Sequence, residues 1–101
     1  MSEYRVAKKS EIAPGSAKTV NVDGIDILLC NVRGDIYAIE DVCTHDGAPL
    51  DQGTLEDKCV TCPRHGAQFD VTTGEAITLP AVMPVMTFPV RIENDDVIVE
   101  A

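Results

Sequence analysis

The sequence predicts an all-β fold, an antiparallel sandwich or barrel. Short β-branched and apolar runs recur, separated by turn-forming Asp-Gly, Arg-Gly and Asn-Asp pairs. No stretch long enough for a stable helix carries an apolar period of 3.6 residues. At 101 residues the chain is the size of one ordinary domain, spanning 1–101, and its core is modest.

The elements follow in order. Residues 4–7 alternate and read as a strand. Residues 10–14 predict one helical turn capped by Ser10 and stopped by Pro14 and Gly15. Residues 19–22 and 25–32 form the clearest hairpin, because Asp23-Gly24 tolerates the positive φ of a type I′ turn. Its second strand holds the longest apolar run, Ile27-Leu28-Leu29-Cys30. Arg33-Gly34-Asp35 turns the chain into a strand over 36–39. Residues 59–62 and 67–71 are two more short strands, the second closed by Thr73-Gly74-Glu75. Residues 87–93 and 97–100 form a last hairpin around Asn94-Asp95-Asp96. Two stretches read as loops. Residues 44–54 hold two glycines and a proline, and residues 79–89 hold Pro80, Pro84 and Pro89, which cannot donate to a ladder.

Composition excludes several functions. Asp and Glu number 17 against 8 Lys and Arg, a net charge of −9 with neutral histidines. Nucleic-acid binding requires clustered bases, and an anionic membrane surface repels such a chain, so neither is expected as a partner. No apolar run approaches the roughly 20 residues of a membrane helix, and residues 1–10 lack a signal-like apolar core. A cytoplasmic location is therefore expected, with reduced cysteines. The glycine spacing gives neither G-x-G-x-x-G nor a P-loop, so no nucleotide cofactor is indicated.

The chemistry lies in the cysteines and histidines. Cys43-Thr44-His45 reads C-x-H, and Cys62-Pro63-Arg64-His65 reads C-x-x-H. Each pair falls where a predicted strand passes into a loop, so two loops offer two ligands apiece to one centre. Thiolate and imidazole suit zinc or an iron–sulfur cluster. Gly47 and Gly66 follow the histidines, where the backbone must fold tightly. Chance proximity of a buried cysteine and a surface histidine explains one such pair. It explains poorly two pairs that together use both histidines of the chain. A Cys2His2 zinc site stays open on ligand type, although structural zinc usually takes two cysteines from one side and two histidines from the other.

This pattern resembles the Rieske [2Fe–2S] family, and the resemblance extends over nearly the whole chain. It implies a Rieske-type antiparallel sandwich or barrel with a small cluster-binding part at about 42–84, made of two ligand loops and a proline loop at 79–84. The implied cofactor is one [2Fe–2S] cluster, with Cys43 and Cys62 on one iron and His45 and His65 on the other. Two thiolates and two neutral imidazoles leave the oxidised centre uncharged. Such a centre accepts an electron more readily than an all-cysteine one.

The sequence departs from the high-potential branch of that family. The cysteines that bridge the two loops there correspond to Ala48 and Arg64 here. The Ser and Tyr hydroxyls near the cluster there correspond to Ala67 and Phe69, which have none. Fewer hydrogen bonds to the cluster lower its potential. The departures resemble the soluble Rieske-type ferredoxins of aromatic-ring dioxygenase systems. That resemblance implies a monomeric electron carrier, not an enzyme, between a flavin-dependent ferredoxin reductase and a terminal oxygenase. The oxygenase itself needs two further histidines for its mononuclear iron, and none is left over. Two alternatives stand beside this reading: a small Rieske subunit of a nitrite-reductase-like enzyme, and a zinc-stabilised interaction module.

Two cysteines remain. Cys30, inside an apolar strand, is expected in the core. Cys59 forms C-V-T-C with Cys62 but points to the opposite strand face, so it is expected as a buried apolar residue rather than a ligand. Met83 is open between filling a gap, shielding the centre and touching a partner.

Overall fold

The computed structural model describes residues 2–44, 47, 49–51, 53–63, 66–78 and 83–101. The strands are β1 (Glu3–Lys8), β2 (Ala17–Val22), β3 (Ile25–Val32), β4 (Asp35–Glu40), β5 (Thr54–Glu56) and β6 (Cys59–Thr61). They continue as β7 (Gln68–Asp70), β8 (Ala76–Thr78), β9 (Thr87–Phe88), β10 (Val90–Glu93) and β11 (Asp96–Glu100). Among the described residues all pairings are antiparallel, as the sequence predicts. Three sheets result, ordered β1-β11-β10, β2-β3-β4-β9 and β5-β6-β7-β8.

The β2-β3-β4-β9 sheet is the middle layer. One face packs Ile27, Leu29, Ile36, Ala38 and Phe88 against Val97 and Val99 of β11. The other packs Leu28, Cys30, Val32 and Ile39 against Val60 and Phe69 of β6 and β7. A strand covered on both faces has no polar side to show, which is why Ile27-Leu28-Leu29-Cys30 of β3 is an unbroken apolar run. Asn31 follows that run, and its amide donates to the Ile12 carbonyl at 2.7 Å. Its Oδ1 accepts from the Gly34 N–H at 2.8 Å, so a buried polar side chain is paired at both ends.

The predicted turns form. Asp23 and Gly24 both take positive φ, 51° and 86°, and Arg33 and Gly34 take 54° and 97°, as two-residue type I′ hairpins require. The structure corrects four details. The turn after β1 is a 3-10 helix (Lys9–Glu11) preceded by Lys8, whose N–H is held by the Glu11 carboxylate. Ser10 does not cap it; its N–H and hydroxyl both go to the distant Asp95 carboxylate. The predicted strand over 87–93 divides at Pro89: β9 pairs with β4 in the middle sheet, β10 with β11 in another. Proline cannot donate to a ladder, so the chain changes sheets there. β5 and β8 are strands of three residues that no alternation announces.

Candidate metal centre

Strands β4 and β6 both run toward the candidate ligands. Cys43 follows β4 by three residues, and Cys62 follows β6 directly. Val60 and Cys62 lie on one side of their strand and are 2% and 1% exposed; Cys43 is fully buried. All four cysteines are described, and all are thiols outside any disulfide.

The two loops close in the same way. The Gly47 N–H donates to the Cys43 carbonyl at 2.7 Å, and the Gly66 N–H donates to the Cys62 carbonyl at 3.0 Å. Each loop therefore opens on a cysteine and closes four residues on at a glycine, with φ 79° at Gly47 and 74° at Gly66. Only a residue without a Cβ adopts that conformation cheaply. In sequence, His45 is third and His65 fourth in these five-residue turns. Both histidines lie outside the described residues, as do Asp46, Ala48, Arg64 and residues 79–82.

The bases of the loops are held separately. The second is pinned by Cys62 N–H donating to the Ala67 carbonyl at 2.7 Å. The first is pinned by Asp41, whose Oδ1 accepts the Leu50 and Asp51 N–H groups at 2.7 and 2.9 Å. Burial pushes the Asp41 carboxyl upward, and the Leu50 N–H opposes that shift. Gly53 then lets the returning chain lie against β6: a Cβ there would stand 1.9 Å from the Thr61 carbonyl oxygen.

A third segment joins the first loop. The Thr44 hydroxyl donates to the Met83 carbonyl at 2.7 Å. Val85 N–H donates to Gly74 O at 2.8 Å, and Glu40 N–H to Met86 O at 2.9 Å. The end of the proline-bearing stretch is thus tied to the first candidate ligand loop, a turn and β4. Met83 and Met86 are 63% and 61% exposed, so Met83 fills no gap in the core.

The other sequence expectations divide. Cys30 is fully buried in the apolar cluster that contains Cys43 and Cys62. Cys59 is only half-buried at the far end of β6, opposite Asp70, because Val60 takes the core-facing position. Ala67 and Phe69 are both fully buried. Asp41 and the hydroxyl of Thr44 escape sequence reasoning, since their partners lie nine and 39 residues away. No local motif marks such contacts.

The donor chemistry of the described part fits a [2Fe–2S] cluster. Two buried thiols stand at equivalent points of two similar loops, in an apolar surround suited to a soft, low-charge centre. Fold and loops together define a small antiparallel β protein with two similar loops, each opening on a buried cysteine. The Rieske [2Fe-2S] domain matches residues 2–89, and the chain belongs to that family. It is 40% identical over 100 residues to the ferredoxin component of biphenyl 2,3-dioxygenase from Rhodococcus jostii strain RHA1, covering 99% of this chain and 94% of that one. The ferredoxin of carbazole 1,9a-dioxygenase from Nocardioides aromaticivorans IC177 superposes with a TM-score of 0.93 at 32% identity, covering 98% and 97%. A chain in a complex of reduced oxygenase and oxidised ferredoxin of carbazole 1,9a-dioxygenase superposes at 0.92, with 35% identity over 96% and 91%. These relatives are electron-transfer components of dioxygenase systems, not the catalytic oxygenases.

Proposed function

We propose that Cys43, His45, Cys62 and His65 hold one Rieske [2Fe–2S] cluster within a part of the chain spanning about 42–84. The protein then carries single electrons from a flavin-dependent reductase to a terminal ring-hydroxylating oxygenase, as a cytoplasmic monomer without catalysis of its own. The observation that carries this reading is the matched pair of loops, each opening on a buried cysteine and closing at a positive-φ glycine. The ferredoxin names of its relatives support the role. When bound, the cluster takes up and gives back one electron. The chain's own part is to supply the donors, hold both loops at fixed spacing and keep water from the cysteine side. Among the described residues no helix is long and apolar enough to cross a membrane.

Anaerobically purified protein is expected to show visible absorption and, after dithionite reduction, a Rieske EPR signal. Its midpoint potential is expected at the low end of the Rieske range, about −150 mV, because Ala67 and Phe69 offer no hydroxyl. His45→Cys is expected to keep a cluster at lower potential, and His45→Ala to lose it. A colourless protein with stoichiometric zinc overturns the cluster, and a clearly positive potential overturns the low-potential assignment.

A further inference from the structure

Asp41 stands outside both candidate ligand motifs, yet its side chain holds the returning end of the loop that carries the first of them. Its backbone N–H donates to the Asp26 carbonyl at 2.9 Å, which fixes it to the beginning of β3. Its carboxylate reaches across nine residues of sequence to the Leu50 N–H and ten to the Asp51 N–H. Both bonds end on one atom, Oδ1. Leu50 is fully buried in the apolar cluster that includes Cys43, so these bonds set the return path of the loop against the core. Among the described residues of this loop none lies in a strand.

We propose that Asp41 is a positioning residue for the metal centre, with a second effect through its charge. Held two residues from Cys43, it fixes where the first ligand loop leaves and re-enters the fold. The carboxylate also places a negative charge beside a centre that gains one electron on reduction. A nearby anion favours the more oxidised, less negative state. The two effects separate cleanly, because an Asn side chain offers the same Oδ1 acceptor without the charge. The proposal rests on Cys43 being a cluster ligand. The EPR spectrum of the wild-type protein tests that premise first and by itself.

The experiment compares holo wild type, Asp41→Asn and Asp41→Ala by hydrogen exchange, cluster loss to a chelator and redox titration. For Asp41→Asn the expected result is wild-type protection of the Leu50 and Asp51 amides, wild-type cluster retention and an upward shift of midpoint potential. For Asp41→Ala the expected result is faster exchange at both amides and cluster loss accelerated on the order of tenfold, from two lost hydrogen bonds. If Asp41→Ala does not fold, Asp41→Asn still decides. Faster exchange at 50–51, or an unchanged potential, in Asp41→Asn overturns the proposal. So does unchanged exchange in a folded Asp41→Ala.

Discussion

Cys30 and Cys43 lie in the same apolar cluster and are equally buried, yet they differ in their surroundings along the chain. Cys30 sits mid-strand in β3, between Tyr37 and Ala17 in the ladders, with no turn to present it to a centre. Burial, with a smaller contribution from the Asp41 charge, raises its thiol from 9.0 to about 12. That shift makes stability depend on pH. Below about 9 the thiol is protonated whether the chain is folded or not, and its contribution is complete. Above that the unfolded chain releases the proton more readily, so the contribution falls and is gone as pH rises through about 12. Denaturant titrations of wild type and Cys30→Val between about pH 8 and about pH 10 are expected to show a steeper alkaline decline in the wild type. Parallel declines would place the pH dependence elsewhere. The core role of Cys30 was legible from its apolar neighbours, whereas the half-exposure of Cys59 was not. Strand alternation says which face a residue takes, but not whether another sheet covers that face.

At the level of elements, short strands and the segments between them depend on backbone packing that a linear pattern does not carry. Gly74 is the clearest case. Its φ is 83°, and a Cβ there would lie 2.3 Å from the Val85 carbonyl oxygen. Its N–H donates to the Asp70 carbonyl at 2.6 Å, and its own carbonyl accepts from Val85. Gly24 has a similar φ of 86° but open space around the missing Cβ. Gly24→Ala is therefore expected to cost about 1 kcal/mol, the left-handed penalty alone. Gly74→Ala is expected to cost about 2–4 kcal/mol, because the 83–86 segment must also move. Equal costs by denaturant unfolding would show that the Val85 contact yields freely. The sequence marked Gly74 as a turn residue and nothing more. The division of β9 from β10 at Pro89 was visible as a proline, but its consequence, a change of sheet, needed the partners β4 and β11.

Across the whole molecule, charge is distributed unevenly in its pairing. Arg5, Lys8, Lys18, Arg33, Lys58 and Arg91 each meet a carboxylate. On β11, Ile98 stands between Arg5 and Arg91 in register and is only 3% exposed. The Arg33–Asp57 pair joins the β3–β4 turn to the β5–β6 turn, at the ends of those hairpins remote from Cys43 and Cys62. With so many bases engaged and a net charge of −9, the chain presents a negative field to partners. Raising ionic strength is expected to slow second-order electron transfer to the proposed oxygenase partner by weakening attraction to basic surfaces on it. A rate unchanged or raised from low to moderate salt would exclude attractive steering.

The sequence by itself determined the antiparallel class, the type I′ hairpin at Asp23-Gly24, the turn at Arg33-Gly34, the core place of Cys30 and the two motifs that nominate Cys43, His45, Cys62 and His65. Each of these rests on local conformation or on chemistry written in neighbouring residues. Tertiary structure decided the three-layer arrangement with β3 covered on both faces, the sheet change at Pro89 and the clamp of Asp41 on the loop that follows Cys43. These depend on groups many residues apart meeting across sheets, where burial and hydrogen-bond partners are set by the fold.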